Sequence, residues 1–225
     1  MDSNRLLIGL TGKNARQVIR KIHNTEKFGI TRAALFLEFL KKRQREKVYK
    51  ILKKTKIKEF PLIHIRHDMN KDEIKFLKEK FKTKCFNIHT FGLNNLEKWA
   101  PFQKDLYLEL HYHNNPIDEK NFQKIGGFCI DLSHFKASQD RKTSEYEFIM
   151  KKSNEKKLFV GNHLNGYSKW RKIDKHRVLS KKQFNYLLTL PNFLFGNYIA
   201  LEMFNSVKKQ IKYKKYILNL LKNKF

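Results

Sequence analysis

The sequence predicts an α/β fold, a compact (βα)8 TIM barrel in a single domain over residues 1–225, and three observations carry that prediction. Short apolar runs alternate with charged stretches of helical period along the whole chain, about eight times over. Such alternation builds a parallel sheet with crossover helices, and eight units favour closure over an open sheet. No Gly-, Pro- or Ser-rich linker and no break in composition divides the 225 residues, a length that suits one barrel.

The first strand is expected in LLIGL (6–10) and the second in AALFLEF (33–39), with the helix ARQVIRKIHN between them. KKRQREKVYKILKK then leads to PLIHI (61–65), and NKDEIKFLKEKF leads to CFNIHTF (85–91). LNNLEKWAPF is the next helix-like stretch, before DLYLELH (105–111), and DEKNFQKI precedes GFCIDL (127–132). A helical run over about 139–152 is followed by LFVGNHL (158–164). The longest insertion, 164–197, carries one helix-like stretch, SKKQFNYLLTL, before the last strand, YIALEMF (198–204). In a barrel such a βα loop lies over the active-site end. The C-terminal run SVKKQIKYKKYILNLLKN sets Ile211, Tyr216, Ile217, Leu220 and Leu221 along an apolar stripe at helical spacing.

Hydrophobic residues at 40% argue against disorder. Two cysteines, Cys85 and Cys129, make neither a disulfide framework nor a Cys-x-x-Cys pair. They point to a reducing compartment, and with neither a signal peptide nor an apolar run near about 18 residues the expectation is a cytoplasmic protein without membrane contact. Lys and Arg number 49 against 21 Asp and Glu, a formal charge of +28. Such a charge attracts polyanions. The same excess also fits a Lys-, Asn-, Ile- and Phe-rich compositional bias, with lysines on a solvated outer face. The first strand, IGLTGKN, lacks the glycine spacing of a dinucleotide or phosphate-binding loop.

Function is indicated by where the ionisable residues fall. Barrel strands are covered on both faces, so a carboxylate or imidazole near a strand's C-terminal end needs a reason. His64 and His67 end the third strand and His89 the fourth; Glu109 lies on the fifth. Asp131 lies on the sixth with His134 beyond it, His163 ends the seventh, and Glu202 lies on the eighth. Asp174 and His176 fall in the long loop. A single strand-end histidine is ordinarily structural. Six strands meeting at one rim are harder to explain that way, because carboxylates crowded there would repel unless a cation compensated them. His nitrogen with carboxylate oxygen suits zinc or manganese better than magnesium or calcium. Glu38 reads as solvated or paired, and His111, Tyr112 and His113 as surface loop, with a role supporting the ligands or in a substrate loop as the alternative.

Several segments resemble the xylose-isomerase-like barrel superfamily, which holds endonuclease IV-type AP endonucleases and sugar-phosphate isomerases and epimerases. GFCIDLSHFKA is similar to the family's Cys-Leu-Asp-Thr-x-His pattern, and HLNGYSKWRKIDKH to its His-Leu-Asn-Asp stretch followed by Asp-x-His. LYLEL and IALEMFNS match its fifth- and eighth-strand glutamates, and FNIHTFG its fourth-strand His-Pro-Gly. The match covers roughly 60–225. The chain differs in lacking the first-strand His-x-Ser, and in having Gly166, Thr90-Phe91 and RVLSKK where the family has Asp, Pro-Gly and glycines.

The endonuclease resemblance implies three zinc ions and phosphodiester hydrolysis at abasic sites in DNA. His64 (or His67), His89 and Glu109 would hold the first ion; Glu109 would bridge to a second with Asp131, His163 and Glu202; His134, Asp174 and His176 would hold the third. Arg66, His67, Trp170, Arg171 and Lys172 are then the expected contacts to DNA. The isomerase resemblance implies one divalent metal on Glu109, Asp131, His163 and Glu202, an anionic sugar phosphate as substrate, and Glu109 and Glu202 moving the proton. A nucleic-acid-binding barrel without catalysis is a third expectation. Oligomeric state is left open.

Overall fold

The computed structural model describes every residue, Met1–Phe225. Eight parallel strands close into a barrel: β1 (Leu6–Leu10), β2 (Ala34–Phe36), β3 (Leu62–His64), β4 (Cys85–His89), β5 (Leu106–Glu109), β6 (Gly127–Asp131), β7 (Phe159–Leu164) and β10 (Tyr198–Leu201). Each pairs with its neighbours in sequence order, and β10 pairs with both β7 and β1 to complete the ring. Between β7 and β10 the chain inserts an antiparallel hairpin, β8 (Gly166–Ser168) and β9 (Ile173–Lys175). Every expected strand exists, mostly one to three residues shorter at its ends.

The helices depart further from expectation. α1 (Ala15–Lys27), α2 (Lys42–Leu52), α3 (Lys71–Phe81) and α7 (Val207–Leu220) form at the predicted places, and α4 (Glu119–Phe122) is a single turn. LNNLEKWAPF is instead part of a run of 3-10 turns over Thr90–Trp99, broken at Asn95 (φ −144°, ψ 41°). SKKQFNYLLTL likewise becomes the 3-10 segment Lys181–Thr189. The run at 139–152 is two helices, α5 (Leu132–Arg141) and α6 (Ser144–Lys151), divided at Lys142 with a left-handed φ of 57°. α5 begins directly at the end of β6 because Asp131 caps it, accepting hydrogen bonds from the Ser133 and His134 amides. In α7 the buried face is Val207, Gln210, Tyr213, Ile217 and Leu221, so the predicted stripe is turned by about one residue and Ile211, Tyr216 and Leu220 are only partly covered. No helix is long and apolar enough to cross a membrane.

Two apolar layers result. The larger lies between strands and helices. The smaller fills the barrel with Leu7, Ala34, Phe36, Leu62, Cys85, Cys129 and Ala200. Gly161 belongs to the same level, since a Cβ there would meet the Cys85 and Cys129 sulfurs at 2.8 and 2.9 Å. Strand side chains alternate, so the next residue on the same face is two further on. From Phe36 that step reaches Glu38; from Leu62, His64; from Cys85, Asn87 and then His89. From Cys129 it reaches Asp131, from Gly161 His163, and from Ala200 Glu202. The interior therefore changes from apolar to ionisable within one pleat repeat, at the C-terminal ends of the strands.

Outside the barrel, α2 and the β3–α3 connection are joined by a buried charge. The Arg45 side chain is fully buried and donates to Glu73 (2.8 and 3.0 Å), Asp68 (2.7 Å) and the Leu40 carbonyl. Removing the cation leaves the largely buried Glu73 carboxylate with only the Tyr49 hydroxyl and the Asn70 amide as donors and no opposite charge. Arg45→Ala is expected to lower the unfolding free energy by about 3 kcal/mol, read by urea denaturation.

Candidate metal centre

Glu109, at the end of β5, stands at the middle of the ionisable layer and is buried. Its Oε2 accepts a hydrogen bond from Asn87 Nδ2 at 2.7 Å and lies 3.2 Å from His163 Nδ1. Oε1 lies 3.3 Å from His134 Nδ1, while His64 and His89 each place Nδ1 3.9 Å from Oε2. His163 Nδ1 is also 3.2 Å from Glu202 Oε2, yet it is aligned for a hydrogen bond with neither carboxylate. Asp131 is held more tightly than its neighbours. Oδ1 takes hydrogen bonds from the Ser133 amide and hydroxyl and the His134 amide, and Oδ2 takes one from Asn165 Nδ2 at 2.9 Å.

The hairpin supplies the outer edge. Asp174, on β9, accepts from the Tyr112 hydroxyl at 2.6 Å and lies 3.2 Å from His176 Nε2. His134 Nε2 is 3.9 Å from both Asp131 and Asp174, and so links the inner and outer carboxylates. His176 Nδ1 is 3.8 Å from Glu202 Oε1. All nine residues expected as ligands thus meet at one end of the barrel. The narrowest convergences, with one donor atom per residue all within 4.8 Å, are Glu109–Asp131–His163–Glu202, His64–Glu109–His163 and Glu38–His64–Glu202. His89, His134, Asp174 and His176 surround them.

The structure distinguishes His64 from His67. His64 is 1% exposed and inside the cluster, whereas His67 is exposed beyond the strand end, its ring against Phe91. His67 and Arg66 instead line a cleft of about 260 Å³ beside the cluster, with Glu38, Phe39, His89 and Phe91. Trp170, Arg171 and Lys172 occupy the exposed tip of the β8–β9 hairpin, Trp170 being 88% exposed. There Lys172 Nζ donates to the Asp140 carbonyl near the end of α5, so this tip lies apart from Arg66 and His67.

Three side chains join the site against expectation. Glu38 is buried, not solvated, and neither oxygen has a hydrogen-bond partner. The signal was its spacing: Glu38 lies two residues past the inward-facing Phe36, just beyond the end of β2, where the Leu37 amide still donates to the His64 carbonyl. His111 and Tyr112 are not free surface loop either. His111 Nε2 lies 3.0 Å from His89 Nδ1 with the rings stacked, and Tyr112 anchors Asp174. Their loop is pinned by Glu145, which accepts from the amides of His113, Asn114 and Asn115.

Proton affinities follow this geometry. Burial works against a charge on Glu109, but His163, His134 and His89 outweigh it and hold the carboxyl well below the usual range. His163 is correspondingly held well above the usual imidazole value by Glu109 and Glu202, against burial. Burial pushes His64 well down, with His89 adding to the effect, and pushes His111 down to about 4. Burial and the Glu202 charge push Glu38 well up. Burial thus favours the uncharged forms of His64 and Glu38, while Glu109 and His163 hold each other in the charged form. Unpartnered buried atoms remain on Glu38, His64, His134 and His163, where buried polar groups are ordinarily satisfied. A divalent cation fits such a donor set, because it takes nitrogen and oxygen lone pairs and neutralises the carboxylates.

No family model matches the chain, and no curated protein does. Among solved structures it is similar to the 3-dehydroquinate dehydratase from Geobacillus kaustophilus HTA426, at 13% identity and a TM-score of 0.40, over 95% of this chain and 90% of that one. A likeness of that order bears on neither substrate nor chemistry. The barrel assignment rests on the closed parallel strand order.

In the metal-free protein His134 is the most informative titration. Burial opposes its charge, but Asp131, Glu109 and Asp174 push its pKa from 6.5 up to about 10. A pKa raised on folding gives stability that is complete below about 6.5 and lost as pH rises through about 10. In chelator-treated protein, unfolding free energy should fall across that window, by up to about 1.4 kcal/mol per pH unit. Urea titrations of His134→Gln should show a shallower fall than the parent protein.

Proposed function

We propose that this barrel is a metal-dependent phosphodiesterase acting on a nucleic-acid backbone, akin to the endonuclease IV-type AP endonucleases of the xylose-isomerase-like superfamily. The observation that carries the proposal is the buried ring of His and carboxylate donors at one barrel end, with lone pairs that no protein group satisfies. Glu109, Asp131, His163 and Glu202 would hold the inner ion, with His64, His89, His134, Asp174 and His176 placed to hold others. The donor set suits zinc, with manganese second. Bound there, such ions would polarise a phosphate, lower the pKa of water and stabilise the leaving oxygen.

The chain's own cations support an anionic substrate. Arg66 lies at the edge of the cleft, Lys98 donates to the His67 carbonyl, and Arg141 sits 4.5 Å over the Tyr112 ring. A polymeric substrate gives the remaining charge something to act on, since +28 far exceeds what one sugar phosphate would meet. Phe39 and Phe91 flank the cleft with exposed rings on which an unstacked base could lie. Trp170, Arg171 and Lys172 would meet the strand further along.

A second reading has one specific observation in its favour. The sole four-donor convergence is Glu109, Asp131, His163 and Glu202, the set a one-metal sugar-phosphate isomerase or epimerase needs. Asp174 and His176 discriminate between the readings, because the isomerase does not require them.

Nicking of duplex DNA carrying one abasic site is the direct test. Activity should be abolished by chelator and restored by Zn²⁺, and His163→Ala should reduce it by at least about 100-fold. His176→Ala should also abolish nicking. Isomerisation of a sugar phosphate that survives His176→Ala, with no nicking by the parent protein, would establish the second reading instead.

A further inference from the structure

We infer that Glu38, His64 and Glu202 form a cation position of their own, on the β2–β3–β10 side of the barrel, beside the one at Glu109, Asp131 and His163. It rests on the metal-dependent reading above and adds Glu38 as a ligand, a residue outside the three-ion pattern of the resemblance. One donor atom from each of the three lies within 4.8 Å of the others.

Two observations set Glu38 apart from an ordinary buried acid. It is 8% exposed and both its oxygens lack a hydrogen-bond partner. Its closest opposite number, His64 Nδ1, is 3.7 Å from Oε2. That gap is too long for a direct hydrogen bond, whether the acid carries a proton or not. It does match two ligands on one ion, since donors each about 2.1 Å from a tetrahedral centre stand about 3.4 Å apart. His64 repeats the pattern: it is 1% exposed, and neither Nδ1 nor Nε2 has a partner. The backbone fixes both residues. Phe36 pairs with His64 across β2 and β3, and Glu38 lies two residues past Phe36 on the same face.

Glu202 belongs to this set and to the inner one. A carboxylate has two oxygens and can bridge two ions, and one of them, Oε2, is the atom 3.2 Å from His163 Nδ1 on the inner side. The cleft lined by Glu38, Arg66, His89 and Phe91 opens directly onto the Glu38 side. An ion there would meet the substrate from the cleft, while the Asp131 side is closed by α5 and the hairpin.

The test is metal content of the whole chain after loading with Zn²⁺ and dialysis, together with the visible spectrum of the Co²⁺-loaded protein. Glu38→Gln should retain one ion fewer per chain than the parent, or bind its weakest Co²⁺ at least about tenfold less tightly. Asp131→Asn should lose a different ion, with a different change in the Co²⁺ spectrum. Glu38→Asp, which keeps the charge and shortens the reach, should fall between Glu38→Gln and the parent. Melting in chelator checks that each variant is folded. Unchanged stoichiometry, affinity and spectrum in Glu38→Gln would overturn the inference while leaving the metal-dependent reading intact. Loss of every ion in both Glu38→Gln and Asp131→Asn would also overturn it, because the two positions would then be one. A parent protein that holds no metal would overturn the reading and the inference together.

Discussion

The buried carboxylate of Glu109 sets the terms for the whole upper end of the barrel. Removed from water, it must be met by donors or cations. Asn87, His163 and His134 come to it from β4, β7 and α5, with His64 and His89 at the next distance. His134 can reach it only because α5 starts without a loop after β6, and that start depends on Asp131 as the cap. Asp131 in turn is steadied by Asn165 and Ser133. Structure and site are therefore one network: the residue that begins a helix is also a candidate ligand.

Closure of the sheet makes such a network possible. In an open sheet the ends of β1 and β7 would stand far apart, whereas here β10 lies between and pairs with both. The short inward residues below, Ala34, Cys85, Cys129, Gly161 and Ala200, let the strands approach across the interior. Phe36 then caps that apolar floor, its ring 4.9 Å from His163. Dry packing beneath and protein walls around keep the local dielectric low, so every pairing above is stronger and every unmet group costs more.

Much of this was legible in the sequence, because apolar strand runs survive a heavy lysine background. The eight strands follow from runs such as CFNIH and GFCID, which also put His64, His89, Glu109, Asp131, His163 and Glu202 at one rim; naming all nine residues as ligands came only with the family resemblance. Glu38 is hidden in FLEF because a lone glutamate there is as compatible with a solvated position as with a buried one; only its two-residue spacing from Phe36 marks it as inward-facing. The same spacing separates His64, two beyond Leu62, from His67, which is past the strand end. The β8–β9 hairpin left almost no trace, since GYSKW and RKIDK are short, polar and without alternation. Segments 90–99 and 181–189 have helical composition but form 3-10 turns, in one case around Asn95 with its non-helical backbone.

That hairpin gives the site a division of labour. Glu38, His64, Glu109, Asp131, His163 and Glu202 belong to or directly follow barrel strands, and changing their backbone would disturb the core. Asp174 and His176 sit on an appendage fastened by side-chain and loop contacts rather than by pairing with the barrel strands: Tyr112 to Asp174, Tyr167 to Asp140, Lys172 to the Asp140 carbonyl, and the Phe204 amide to the His176 carbonyl. An appendage of this kind can be lengthened, shortened or replaced without renegotiating the strand register. The outer half of the centre is thus an exchangeable fitting on a fixed inner one, and a lineage of such barrels could change chemistry by altering about ten residues of loop while the barrel stays as it is.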